Sequence, residues 1–128
     1  MIVRQAYNAK TAPEPVGNYV QALEVSGTTR RLYVSGQIPA DRAGNVPAGF
    51  LAQAELAWQN LAAQLTAADM TAANLVKVTI FLSDRKYAME NRVARKAALG
   101  DHAPAMTVII TGIFDEAWLL EIEGIAEA

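Results

Sequence analysis

The run Asn74-Leu75-Val76-Lys77-Val78-Thr79-Ile80-Phe81-Leu82 constrains this chain more than any other stretch. A two-residue period places Val76, Val78, Ile80 and Leu82 on one face and Lys77, Thr79 and Phe81 on the other, the pattern of a strand with one apolar side. Such a side must be covered by another layer. Ser83-Asp84 offers N-cap chemistry, and residues 85–98 are good helix formers, with Tyr87, Val93 and Ala97 turned inward. Arg92, Arg95 and Lys96 then lie towards the C-terminal end of that helix, where the helix dipole favours cations. Gly100 stops it, and Asp101-His102-Ala103-Pro104 turns the chain into a strand over 105–111. A turn over 112–116 leads to a last strand over 118–126.

The N-terminal half reads in the same way. Residues 2–7 form a short apolar-polar run, and Pro13 and Pro15 keep the next segment an extended loop. Val20–Val25 alternates as a strand, Ser26-Gly27-Thr28-Thr29 is a turn, and Arg31–Ser35 returns, which predicts a hairpin. Gly36 permits a close backbone approach, and Pro39 ends the strand. Leu51, Ala54, Trp58, Leu61 and Leu65 recur at helical spacing, so residues 50–66 should form a helix, with Trp58 as core packing. The expected order is β-β-β-α-β-α-β-β: one α+β domain over 1–128, with a mixed sheet and two helices on one face.

Composition removes several kinds of chemistry. There is no cysteine and a single histidine, His102, so no thiol nucleophile, Cys-based zinc site or Ser-His triad is expected, and no metal or other cofactor. A net charge of −2 gives no footprint for nucleic acid. No apolar run approaches the ~20 residues of a membrane span and the first residues lack a signal-peptide core, so a cytoplasmic protein without a membrane partner is expected. Hydrophobic residues make up 52% and charged residues 19%, an apolar excess that oligomerisation would absorb by covering the open sheet face around Thr79 and Phe81.

One acid stands out. Glu121 sits among Leu119, Leu120 and Ile122, where a carboxylate is costly to desolvate. Two readings compete: a surface-facing strand acid alternating with Glu123, or a general acid/base acting on a bound water. Spacing does not choose between them. His102 is best read as a cap or surface hydrogen-bonder, and Tyr19, Ser35 and Thr107 as hydroxyls at strand entries or ends. No glycine-rich phosphate loop opens a helix after a strand.

Six segments together resemble the YjgF/RidA reactive intermediate deaminases. Pro15–Ala22 is similar to that family's G-P-Y-x-Q-A entry, and Leu32-Tyr33-Val34-Ser35-Gly36-Gln37-Ile38-Pro39 to its most recognisable motif. Ala52-Gln53 with Asn60-Leu61, Leu75–Asp84, Gly100–Ala105 and the closing Glu121-Ile122-Glu123-Gly124-Ile125-Ala126 extend the resemblance over nearly the whole chain. It implies a chorismate-mutase-like fold, a homotrimer with a barrel-like core, and three clefts between subunits. The implied activity is hydrolysis of reactive enamines and imines, such as 2-aminoacrylate, to keto acids and ammonia. Glu121 would then order the attacking water, with Tyr19, Ser35, Gly36 and a helix asparagine lining the cleft.

The chain departs from the family at its P-A-R-S motif. The arginine that would clamp a substrate carboxylate bidentately is replaced by Met106, beside Thr107, and Val108 stands where a cysteine is common. Asn91 matches the helix asparagine only with a one-residue shift; the ungapped position is Arg92, which could reach into the cleft. The implied substrate is therefore an imine or enamine other than 2-aminoacrylate, a less charged or more apolar molecule selected by Met106 and Phe81. The alternatives are a non-catalytic trimeric module that binds a small metabolite or a protein, and, less consistent with an acidic chain, a ribonuclease or translation inhibitor.

Overall fold

The computed structural model describes residues 1–128. Six strands and two helices follow the expected order: β1 (Val3–Tyr7), β2 (Ala22–Ser26), β3 (Arg31–Gln37), α1 (Phe50–Ala67), β4 (Leu75–Leu82), α2 (Ala88–Leu99), β5 (Ala105–Ile110) and β6 (Leu120–Glu127). Single 3-10 turns, Ala72–Asn74 and Arg85–Tyr87, precede β4 and α2. Asp84 caps the second of these turns by accepting a hydrogen bond from the Lys86 amide at 2.9 Å.

The strands form two sheets, where one was expected. β3-β6-β4-β5 is a four-stranded mixed sheet in which only the β4–β5 pair is parallel, and β1-β2 is a separate antiparallel ribbon. The expected hairpin between β2 and β3 does not form. β2 pairs with β1, Val3 opposite Ser26 and Tyr7 opposite Ala22, and β3 pairs with β6. The intervening turn is tied elsewhere: the amides of Thr29 and Arg30 both donate to the Ala128 carbonyl at 2.9 Å. Gly27, at φ +79°, leaves room for the Met1 carbonyl, which a Cβ would strike.

Helix α1 packs across β6 and β3, and α2 lies against α1. The core between them contains Leu61, Leu65, Val78, Ile80, Leu120 and Ile122. The register of β4 against β6 slips between Leu75 and Lys77, so Leu75, and not Val76, enters the core. Trp58 is a core residue, as expected. Leu51 is not: it is 41% exposed, and Phe50 at 3% takes the inner position, stacked on Tyr87 at 4.8 Å between ring centroids. In α2, Val93 and Ala97 face outward, while Asn91, Ala94, Arg95 and Leu99 face in. His102 is half-buried and donates from Nε2 to the Leu75 carbonyl at 2.7 Å. No helix is long and apolar enough to cross a membrane.

The two adjacent positions at the start of α1 should separate cleanly on mutation. Phe50→Ala is expected to cost about 3–5 kcal/mol in urea unfolding, and Leu51→Ala no more than about 0.5 kcal/mol. Equal losses would contradict this facing of the helix.

Candidate active site

A cavity of about 390 Å³ opens between α2 and the edge strand β5. Period-2 alternation along β5 points Met106, Val108 and Ile110 into it, and Tyr19, Asn91 and Arg92 line its other walls. Four residues singled out from the sequence, Tyr19, Asn91, Arg92 and Met106, thus meet in one place. Tyr19 gets there because Val20 bridges in parallel to Ala105, its amide donating to the Pro104 carbonyl at 3.1 Å. The one-residue ambiguity in the helix resolves into two different environments. Asn91 is 2% exposed, with its Oδ1 buried and unpartnered, and Arg92 is exposed at the cavity wall.

Arg95 is the residue that sequence reasoning misplaced. It is 5% exposed, not a solvated cation at a helix end, and its guanidinium reaches the sulfur of Met106, with Nη1 3.6 Å from Sδ. Its Nε donates to Asn18 Oδ1 at 3.2 Å, and its Cζ lies 5.9 Å from the centroid of the Tyr19 ring. No carboxylate pairs with it, since the salt bridges in the chain are Arg31–Glu127 and Lys96–Asp101. Burial first, and then the charge of Arg92, lower its pKa from the usual arginine value. Gly17, at φ +133°, makes room for it: a Cβ there would stand 2.8 Å from Arg95 Nη2. The signal in the sequence was the inward stripe of α2, on which Asn91, Ala94 and Leu99 flank this cation.

Glu121 lies on the other face of the sheet. It pairs with Phe81 across β4 and β6, next to the pairing of Leu82 with Leu120, both of which point into the core. Phe81, Thr111, Phe114, Glu121 and Glu123 line a shallow groove there. β3 carries an extra residue between Val34 and Gln37 relative to β6, and this bulge turns Gly36 towards the acid. A Cβ on Gly36 would strike Glu121 Oε2, so the carboxylate rests directly over the glycine backbone. Ser35 is exposed in a third depression beside Tyr33 and Gln64, and Thr107 accepts a hydrogen bond from Lys77 Nζ at 2.7 Å. One chain therefore does not bring Ser35, Gly36, Phe81, Thr107 and Glu121 to the Met106 cavity. No group of three or more His, Cys, Asp or Glu residues is placed to hold a metal ion.

Fold and cavities together define a small α+β protein of YjgF type. The family model described as Endoribonuclease L-PSP matches residues 9–128. The 2-iminobutanoate/2-iminopropanoate deaminase of Mus musculus is 31% identical over 98% of this chain and 92% of its own. The crystal structure of RidA from an Antarctic Psychrobacter has a TM-score of 0.73 at 29% identity, covering 97% of this chain and 99% of its own. The YjgF gene product of E. coli has a TM-score of 0.71 at 30% identity, covering 96% and 98%. The chain belongs to the YjgF/RidA family.

Asn18 supplies the one oxygen that the Arg95 guanidinium bonds. Asn18→Ala should therefore destabilise the fold by about 1.5–3 kcal/mol in urea unfolding, the range for a hydrogen bond to a charged group. A loss within error of zero would mean that water serves Arg95 equally well.

Proposed function

We propose that this protein hydrolyses an imine or its enamine tautomer, with Glu121 activating the water, in a cleft completed by a second copy of the chain within a homotrimer. Water adds to the C=N carbon, its proton passes to nitrogen, and the carbinolamine collapses with C–N cleavage to a carbonyl compound and ammonia. Glu121 would take the proton from water and return it to the departing nitrogen. The observation that carries this reading is the seat of Glu121 on Gly36: the β3 bulge and the missing Cβ leave room for a carboxylate directly over the glycine backbone. Relatives named as deaminases of 2-imino acids support the same chemistry.

The homotrimer is supported by the surface the chain leaves open. β5 has strand neighbours on one side only beyond Ala105, and Val108, Ile109 and Ile110 along it are exposed. Packing between copies at this edge would cover those side chains and could bring one chain's Glu121 to another chain's Met106 cavity. Met106 offers no bidentate contact at its own position, so 2-aminoacrylate is not the substrate proposed. A cavity of about 390 Å³ suits a larger imine. The separation of Glu121 from that cavity within one chain favours the second reading, a trimeric module that binds a small metabolite without turning it over.

Ammonia release over a panel of imines, with and without carboxylates, separates the two. The hydrolase should release ammonia above buffer from at least one imine, and Glu121→Gln should slow this by about 100-fold or more. If wild type and variant both match buffer for every imine, the hydrolase reading fails.

A further inference from the structure

Within one chain the Met106 cavity holds three cations and no acid. Arg85 and Arg92 line it with Arg95, and none of them has a carboxylate partner in the chain. For the two exposed side chains that is ordinary; for Arg95 it is not. Arg95, 5% exposed as a residue, needs hydrogen-bond acceptors and a counter-charge for its guanidinium, which has one amide oxygen, one thioether and a tyrosine ring. One orphaned donor adds to the deficit: Nδ2 of Asn18, the residue that holds Arg95, has no acceptor. The chain spends a positive-φ glycine, Gly17, to admit this side chain, so its burial is built in by the backbone.

From this we infer that the cavity binds a small organic acid through two anionic ends, one carboxylate on Arg95 beside Met106 and a second anionic group at the rim on Arg92 and Arg85. Guanidinium–carboxylate pairing in a water-poor site is strong and directional, and the Nη edge of Arg95 bonds no protein oxygen. Seven of the twelve lining residues are hydrophobic, which suits a carbon skeleton between charged ends better than an inorganic anion. This rests on the imine-hydrolase reading and sharpens it: the substrate class becomes imines of dicarboxylic acids, whose products are keto diacids. The side chain that holds the carboxylate comes from α2, since β5 offers only Met106 at this point.

The full chain is titrated with 2-oxoglutarate, pyruvate, neutral pyruvamide and inorganic phosphate, by calorimetry and by the Nε–H resonance of Arg95. 2-Oxoglutarate should bind about tenfold more tightly than pyruvate and shift that resonance, while pyruvamide and phosphate should do neither. Arg95→Met should weaken 2-oxoglutarate by at least about thirtyfold. Arg92→Gln, at an exposed position that leaves the fold intact, should remove most of the preference for 2-oxoglutarate over pyruvate. An unmoved Arg95 resonance, or phosphate binding as tightly as 2-oxoglutarate, overturns the assignment. So does an Arg95→Met protein whose copies dissociate, because the counter-charge of Arg95 would then lie in a neighbouring copy. Keto-diacid binding without ammonia release from any imine would remove the hydrolase reading alone. Ammonia release from uncharged imines with no response at Arg95 would remove this one alone.

Discussion

The structure depends on β6, the last strand in the chain, being hydrogen-bonded on both sides. It pairs antiparallel with β3 and with β4, and its inward row of Leu120, Ile122, Gly124 and Ala126 forms the floor of the core. Gly124 matters here because α1 and β4 crowd it: a Cβ would lie 3.1 Å from Leu75 Cδ2 and 3.8 Å from Leu61 Cδ1. With β6 absent, β3 would have no partner and the sheet would shrink to the parallel pair β4–β5. Long-range pairing of this kind brings ends of the chain together late and at high loop-closure cost. The outward row of the same strand carries Glu121 and Glu123, so the pairing that seals the core also orients the candidate catalytic acid.

Period was readable in this sequence; partnership was less so. Alternation over residues 74–82 and 118–126 and the 3–4 spacing of residues 54–65 located strands and helix to within a residue or two, because burial on one side imposes those periods. Which strands pair is decided by tertiary geometry. β2 and β3 looked like a hairpin because a glycine turn joins them, yet that turn serves as the meeting point of the two chain ends, and β1 takes β2 away. The site was legible in the same uneven way. Tyr19, Asn91, Arg92 and Met106 do converge, whereas the inward face of α2 was misassigned because Val93 and Ala97 are apolar and Arg95 is charged. Hydrophobicity is a poor guide where a helix buries a cation.

The electrostatics around Met106 follow from that misassignment. A chain that loses an arginine from a strand would ordinarily lose the positive potential of the site. On the proposed reading, a helix residue whose Nη1 lies 3.6 Å from the Met106 sulfur supplies it. A neutral, polarizable thioether is a suitable neighbour for a guanidinium in that geometry, where a second arginine would add a like charge in a water-poor space. Met106 and the buried Arg95 are thus neighbours in direct contact.

The bulge in β3 carries a consequence in the arithmetic of faces. Before it, odd-numbered residues such as Tyr33 point outward; after it the parity inverts, and Gly36 is the residue under Glu121. Deleting one residue between Val34 and Gln37 would restore a regular ladder and leave the core almost untouched. If the residue removed were Gly36, Ser35 would stand opposite Glu123 and put a side chain on the acid's face in place of bare backbone. The acid's environment is thus encoded in a count of residues as much as in their kinds, and such a deletion could silence the site while the protein still folded.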